Sequence, residues 1–192
     1  MKVIYVRDSS SGYLRIGLSD GKEKHEYTLS RAQYEGLGSP VCAGEIYDID
    51  KLSEYDMKYR AKAHALRILS YGDNNTRTLR DKLVSRGISS AIADEVCEEM
   101  VNIGYVDELR QLARLIENEV SIHLSGRKKL YAKLMRKGYR KTDIDTVLSG
   151  LISDGTVDFD KSKEKLIEKK LSRGASEEEI KALLYKNGYP VD

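Results

Sequence analysis

The chain has 192 residues, and its 33 lysine and arginine residues against 31 aspartate and glutamate residues give a formal net charge of +2. No apolar stretch approaches the ~20 residues that a membrane-spanning helix needs. The early charges of the N-terminus argue against a signal peptide, and the two distant cysteines, Cys42 and Cys97, predict reduced thiols in a cytosolic protein. The three histidines lack metal-binding spacing, and no phosphate-binding loop or nucleophile motif is present. We therefore expect no cofactor, no metal, no membrane contact and no catalytic site.

The first fifty residues predict a small β-rich module. Residues 2–6 are β-branched and aromatic, which favours a strand, and residues 14–18 alternate between apolar and polar. Asp20-Gly21 predicts a tight hairpin turn with positive φ angles, followed by a return strand over about 23–29.

The end of this module predicts a short helix and one more strand. Ser30 and Gln33 have the spacing of a capping box, so we expect a helix to about Leu37. A further short strand is predicted over 41–49. Because about fifty residues cannot enclose a large core, we expect the module to pack on the helices or on a partner.

From about Asp50 the hydrophobic period becomes that of a helix. The predicted buried stripe of a first, long helix comprises Leu52, Tyr55, Tyr59, Ala63, Leu66 and Leu69 or Ser70. The rest of the chain predicts further helices, so the fold class is mainly α with a β-rich N-terminal module.

The helices form a repeat. The three copies are Leu79-x3-Leu83-x3-Gly87, Leu130-x3-Leu134-x3-Gly138 and Ile180-x3-Leu184-x3-Gly188, spaced by 51 and then 50 residues. Each copy predicts one long helix, one of about ten residues and one of about fourteen, ended by glycines in the left-handed conformation. A single copy has too little interior, so neighbouring copies are expected to stack.

The predicted boundaries are 1–50 for the module, 51–105 and 106–156 for two three-helix repeats, and 157–192 for a third repeat that lacks its last helix.

Helix starts are predicted from side chains that can cap them. Thr76 is the predicted cap of one helix, Thr142 with Asp145 of another, and Ser176 with Glu179 forms a capping box.

Several segments resemble the RecX family, the regulators of the bacterial RecA recombinase. They are Ala65-Leu66-Arg67-Ile68-Leu69-Ser70-Tyr71, Leu79-Arg80-Asp81-Lys82-Leu83, Arg86-Gly87, and Gly104-Tyr105-Val106-Asp107-Glu108 with Ala113. The resemblance continues through Leu130-x3-Leu134-x-Arg136-Lys137-Gly138 and covers about residues 58–189. Leu112 departs from it, because the family often has an aromatic residue there.

The resemblance implies a fold and a function. The fold would be an elongated, curved array of tandem three-helix repeats. The function would be non-enzymatic: a monomer that binds the RecA filament on single-stranded DNA and limits its extension, strand exchange and co-protease activity. The implied partners are therefore the RecA filament and, through a basic helix, single-stranded DNA.

Positive charge is concentrated in one segment. Residues 125–141 contain eight lysine and arginine residues and no acid, and Lys129, Lys133 and Arg136 or Lys137 share one face of the predicted helix. The candidate filament- or DNA-contacting residues are Arg77, Arg80, Arg86, Arg127, Lys128, Lys129, Lys133, Arg136, Lys137, Arg140 and Lys141. Tyr131 and Tyr139 are candidates for stacking on bases, or alternatively for half-buried core positions.

The sequence leaves open both the role of the basic segment and the class of regulator. The basic segment is either an electrostatic footprint for phosphate or for an acidic filament surface, or a solvated helix face. The chain is either a RecA modulator or a DNA-binding or protein-interaction repeat regulator unrelated to RecA. Because the basic helix has no asparagine or glutamine, sequence-specific recognition of duplex DNA is the weaker form of that alternative.

Overall fold

The computed structural model describes residues 1–9, 12–37, 41, 44 and 49–191. Within these residues the chain forms three β-strands followed by nine α-helices. The strands are β1 (Lys2–Asp8), β2 (Tyr13–Ser19) and β3 (Lys24–Ser30). The helices are α1 (Arg31–Glu35), α2 (Ile49–Ser70), α3 (Thr76–Val84), α4 (Ser90–Asn102), α5 (Glu108–Ser121), α6 (Arg127–Arg136), α7 (Lys141–Ser153), α8 (Phe159–Leu171) and α9 (Glu177–Lys186). The mainly helical fold with a small β-rich module is confirmed.

The chain divides into two compact units. The first comprises Met1–Gly72 and Leu79–Asn102, and the second comprises Asp73–Thr78 and Ile103–Asp192.

The first unit contains an antiparallel sheet in the order β1-β2-β3. Strand alternation places Ile16, Leu18 and Leu29 on one face, where each is fully buried, and Leu52 of α2 completes this core cluster. The module therefore packs on the long helix, as expected. The further strand predicted over 41–49 lies outside the described residues, apart from Val41, Gly44 and Ile49, which begins α2.

The turn between β2 and β3 differs from the predicted two-residue hairpin. It spans residues 20–23, and Gly21 alone of them has a positive φ, of 93°. The carboxylate of Asp20 accepts hydrogen bonds from the backbone N–H groups of Lys22 at 2.9 Å and Glu23 at 2.8 Å. Aspartate thus shapes this turn through its side chain rather than through a left-handed backbone.

The buried face of α2 also differs from the predicted stripe, since Ala63 and Leu66 are exposed. The buried residues are Leu52, Asp56, Ala61, Ala65 and Ile68. The helix packs first on β3 and then on α4, so no single stripe runs along it. Asp56 is buried because it accepts a hydrogen bond from the Thr28 N–H at 2.9 Å and pairs with Arg60 at 2.7 Å.

The second unit holds two successive repeats, α5–α7 and α8–α9. A core cluster of the first of these comprises Leu112, Ile116, Val120, Leu130, Leu134, Tyr139, Ile144, Leu148 and Val157. A smaller cluster of the last repeat comprises Leu166, Ile180, Leu184 and Tyr189. Asp107 and Asp158, which occupy the same position in the repeat, cap the first helices α5 and α8 through their carboxylates. The left-handed conformation predicted for the helix-ending glycines is confirmed at Gly87, Gly104, Gly138, Gly155 and Gly188.

Two of the four predicted caps are wrong, whereas the capping box of Ser30 and Gln33 at the start of α1 is confirmed. Thr76 lies inside α3, and Asn75 accepts the capping hydrogen bond from the Thr78 N–H at 2.9 Å. Helix α7 begins one residue before Thr142, so Arg140 occupies the cap position and makes no side-chain capping bond. The capping box of Ser176 and Glu179 is confirmed.

Candidate anion-binding surface

The start of α6 meets the end of α9 through backbone hydrogen bonds. The Gly126 N–H donates to the Asn187 carbonyl at 2.7 Å, and the Lys128 N–H donates to the Gly188 carbonyl at 3.3 Å. The Lys129 ammonium group donates to the Asn187 side-chain oxygen at 2.8 Å. These bonds satisfy donors at a helix start and acceptors at a helix end, which would otherwise need water or a cap.

The same contact recurs one repeat earlier in the chain. The Asn75 side-chain amide at the start of α3 donates to the Lys137 carbonyl at the end of α6, at 2.9 Å. The aliphatic part of Arg77 lies against Gly138, where an added Cβ would be 3.0 Å from the Arg77 Cδ. Repeat stacking therefore holds Arg77 beside the turn that joins α6 to α7.

Lys129 and Lys133 do not form the open cationic face that their spacing predicts. Lys133 pairs with Glu119, whose side chain is only 6% exposed and also accepts a hydrogen bond from the Ser125 hydroxyl at 3.2 Å. Because Lys129 bonds Asn187 and Lys133 neutralises a buried acid, both lysines point to neighbouring helices rather than to solvent.

Arg127 and Lys128 are exposed, but each lies over an aromatic ring. The Arg127 guanidinium is 4.7 Å from the centre of the Phe159 ring, and the Lys128 ammonium is 5.7 Å from that of Tyr185. At such distances a cation is attracted to the ring while it keeps most of its contact with water.

In the first unit, Arg80 pairs with Asp94 at 2.5 Å, and this carboxylate raises the pKa of the arginine. Arg86 is exposed and donates to the Lys82 carbonyl at 2.8 Å. The candidate cations of the first unit thus already have protein partners.

Five predicted contact residues remain exposed with no side-chain hydrogen bond, ion pair or aromatic-ring contact to any other part of the chain that the structure describes. We call them the basic turn surface, and they are Arg77, Arg136, Lys137, Arg140 and Lys141. Four of them flank the turn between α6 and α7, and Arg77 lies against Gly138 in that turn. None of the five forms an ion pair with an acid that the structure describes, so this surface is a candidate for binding anions.

The two tyrosines proposed for base stacking lie in or beside the core. Tyr139 is 9% exposed, and its hydroxyl donates to the Gln111 side-chain oxygen at 3.5 Å. Tyr131 is half-buried and donates to Asp145, and burial together with this carboxylate raises its pKa to about 12. We therefore leave both rings out of the contact surface proposed below.

A polar cavity of about 570 Å³ opens next to the basic turn surface. One wall is a face of α5 that presents Gln111, Arg114 and Asn118, and Arg136 and Lys137 line the opposite side. The sequence interpretation did not include the α5 residues, although their spacing of three and four residues places polar groups on one helix face.

The part of the chain that the structure describes contains neither a cluster of metal-binding side chains nor a membrane-spanning helix. No three or more histidine, cysteine, aspartate or glutamate side chains come together in a group that could hold a metal ion. No described helix is both long enough and apolar enough to cross a membrane.

Comparison with known proteins finds similarity to RecX proteins. A family model described as the RecX first three-helix domain matches residues 61–100. The regulatory protein RecX of Caldanaerobacter subterraneus subsp. tengcongensis is 27% identical over 183 residues, which cover 94% of this chain and 80% of the relative. The chain is similar to RecX regulatory proteins. The regulatory protein RecX of Clostridium tetani is 28% identical over 141 residues, covering 72% of this chain and 62% of that RecX protein.

Solved structures of RecX proteins share the fold. A crystal structure of regulatory protein RecX superposes with a TM-score of 0.73 at 17% identity, covering 98% of this chain and 94% of that chain. RecX from Lactobacillus salivarius superposes with a TM-score of 0.61 at 20% identity, covering 71% of this chain and 91% of that chain. These similarities establish the fold of tandem three-helix repeats in this chain.

Proposed function

We propose that this protein is a non-enzymatic negative modulator of a RecA-type recombinase. It binds the RecA filament on single-stranded DNA and limits filament extension, strand exchange and co-protease activity. Similarity to proteins named regulatory protein RecX supports a regulatory role. The observation that carries the proposal is the basic turn surface, which offers cations to a polyanionic filament.

Exposed cations without protein partners can contribute fully to binding. When a lysine or arginine neutralises a phosphate, it releases condensed counterions, and this release favours binding at low salt. The basic turn surface is also fixed in shape, since Asn75 joins the start of α3 to the Lys137 carbonyl. A rigid set of charges loses less conformational freedom on binding than charges on a mobile segment.

A repeat scaffold suits a polymeric partner. Several weak contacts on one scaffold add up to strong binding without a deep pocket. Such a mechanism needs no bond-making step, and in this proposal a monomer acts in the cytosol with the RecA filament as its partner.

The test is RecA activity on single-stranded DNA with substoichiometric amounts of this protein. We expect inhibition of ATP hydrolysis and of strand exchange at ratios well below one protein per RecA. Inhibition only at equimolar or higher ratios, or none at all, would contradict the proposal. Tight binding to one duplex sequence that persists at ~200 mM salt would instead favour a sequence-specific regulator.

A charge-reversal variant tests the basic turn surface. The triple variant Lys137→Glu, Arg140→Glu and Lys141→Glu should lose inhibition while its helicity is retained. The matched control reverses three exposed lysines of α8, Lys161→Glu, Lys165→Glu and Lys169→Glu, and should still inhibit. Equal inhibition by the two variants would exclude this surface from the mechanism. Lys129 and Lys133 are unsuitable targets because both also bond neighbouring helices.

A further inference from the structure

The polar wall of the cavity is one face of α5. Gln111 is 5% exposed, and it donates to the Asn74 carbonyl at 3.4 Å while its side-chain oxygen faces the Tyr139 hydroxyl. One turn further, Arg114 pairs with Asp73 at 2.5 Å. The exposed carboxamide of Asn118 has no partner among the residues that the structure describes. The wall thus presents amide donors, amide acceptors and a guanidinium group along two helical turns.

The opposite side of the cavity is cationic. Arg136 and Lys137 line it, and both belong to the basic turn surface. Of the charged lining residues, Asp73 is the one acid, and it is already paired with Arg114. The cavity therefore combines an anion-attracting side with a wall that can bond a neutral polar group.

We propose that this cavity binds a nucleoside phosphate, with its phosphate at Arg136 and Lys137 and its base against Gln111 and Asn118. The proposal rests on the proposed function, because the DNA strand of a filament is one source of such a group. A free nucleotide is the other source.

The chemistry of the wall favours a nucleotide over an acidic protein side chain. An ionised carboxylate is acceptor-only, so it could accept from the cations and the amide N–H groups but would leave the Asn118 amide oxygen without a donor. A base edge carries donors and acceptors together, and asparagine and glutamine side chains match such edges. A cavity of about 570 Å³ also lies within the size range of small-molecule sites, which a single carboxylate would leave mostly empty.

The test measures binding of the full-length protein to a fluorescent single-stranded 12-mer and to the same 12-mer with abasic sites, without RecA. Both oligonucleotides carry equal phosphate charge. We expect the intact strand to bind about fivefold more tightly, a difference of one to two hydrogen bonds. Equal affinity for the two strands would overturn the proposal, because phosphate alone would then account for binding.

A substitution in the wall isolates the base contact. Asn118→Leu removes the carboxamide without changing charge, so it should weaken binding of the intact strand about fivefold and leave the abasic strand unaffected. Asn102→Leu, at the exposed end of α4, is the matched control and should change neither. Unchanged binding by Asn118→Leu would contradict the proposed base contact.

A second pair of variants isolates the phosphate contact. Arg136→Gln with Lys137→Gln should lower the salt dependence of binding, which is the slope of log K against log salt, by about 0.7, because both cations lie on one phosphate. Lys161→Gln with Lys165→Gln is the control and should leave the slope unchanged. If both pairs change the slope equally, the phosphate assignment is wrong.

Deoxyadenosine monophosphate distinguishes the two sources. If it displaces the 12-mer from the native protein but not from the Asn118→Leu variant, the cavity takes a free nucleotide. If it displaces neither while the abasic difference holds, the cavity takes a nucleotide of the strand. Displacement of the intact 12-mer by an acidic peptide in preference to the nucleotide would overturn the proposal. Because RecA is absent, failure here is separable from failure of RecA inhibition.

Discussion

Gly188 lies directly against the backbone of Lys129, where the end of α9 meets the start of α6. An added Cβ at Gly188 would overlap the Lys129 nitrogen, and φ at this glycine is 82°. One repeat earlier, Gly138 lies against Arg77, but the nearest atom is the flexible Cδ at 3.0 Å. Gly155 also has a positive φ, of 77°, with no atom within 4 Å of an added Cβ. Glycine therefore ends the helices for conformational reasons, and at Gly188 it is also required by packing against the Lys129 backbone.

Alanine substitutions at these three glycines should destabilise the fold in a graded way. Gly155→Ala should lower the free energy of unfolding by about 1 kcal/mol, the cost of a left-handed alanine. Gly188→Ala adds a backbone clash and should cost about 3 kcal/mol in all. Gly138→Ala should fall between them because the Arg77 side chain can move.

Urea unfolding of the three variants measures this order. Equal losses at Gly155 and Gly188 would mean that the contact between α6 and α9 does not constrain the backbone. A change of the denaturant slope in one variant would instead indicate that the two-state comparison fails there.

Replacing Lys133 should destabilise the second unit, although its spacing suggests a surface cation. Removal of its charge leaves Glu119, 6% exposed, with the Ser125 hydroxyl at 3.2 Å and the His123 Nε2 at 3.9 Å. The lysine is about a third exposed, so we expect Lys133→Met to cost about 2 kcal/mol rather than the larger cost of breaking a fully buried pair. Lys137→Met, which removes a cation of the basic turn surface, should change stability by less than about 0.5 kcal/mol.

A double-variant cycle with Glu119→Leu completes this prediction. If the pair accounts for the loss, Lys133→Met should cost much less in the Glu119→Leu background, with a coupling above about 0.5 kcal/mol. Purely additive losses would show that the two residues do not interact.

The repeat could be predicted from the sequence because each of its marked positions has a single structural role. Leu79, Leu130 and Ile180 are buried at the same place in three second helices, and the glycine after each helix has the expected left-handed backbone. Such positions tolerate few residue types, so they recur at fixed spacing. The capping box of Ser176 could be predicted for the same reason.

The hydrogen-bond and ion-pair partners of individual polar residues could not be predicted from the sequence. Thr142 and Asp145 have the spacing of a cap, but α7 begins one residue earlier and Asp145 accepts a hydrogen bond from Tyr131. Lys133 looks like its exposed neighbours until Glu119, fourteen residues away, is placed beside it. The polar residues of α5 that line the cavity were not predicted as a site, because they form one only when the fold places them next to the turn after α6. Each of these outcomes depends on a contact distant in sequence.

Alkaline pH should weaken the fold through two tyrosines. Burial, with Asp145 at Tyr131 and Asp160 at Tyr189, raises the pKa of both phenols to about 12. In the unfolded chain these phenols titrate near pH ~10, so their contribution to stability is complete below that pH and decreases as pH rises to about 12. Near-ultraviolet titration should show Tyr131 and Tyr189 ionising late, together with Tyr139, whose pKa is also raised by burial. The double variant Tyr131→Phe and Tyr189→Phe should lose less stability than the native protein across the same pH range.

The hydroxyls of Tyr139 and Tyr189 occupy equivalent places in successive repeats but have different surroundings. Tyr139 donates to Gln111, whereas the buried Tyr189 hydroxyl has no partner among the described residues. The residue equivalent to Gln111 is Ser162, whose shorter side chain donates to the Asp158 carbonyl at 2.8 Å instead. The two hydroxyls should therefore respond in opposite ways to removal.

Tyr139→Phe should lower the free energy of unfolding by about 0.5 kcal/mol, since it removes one long hydrogen bond and leaves Gln111 less satisfied. Tyr189→Phe should leave stability unchanged or raise it by up to about 1 kcal/mol, because it removes a buried polar atom that makes no hydrogen bond to a described residue in the folded state. Urea unfolding at neutral pH, where both phenols are protonated in either state, separates this effect from titration. A loss at Tyr189 larger than that at Tyr139 would show that its hydroxyl does have a bonding partner in solution.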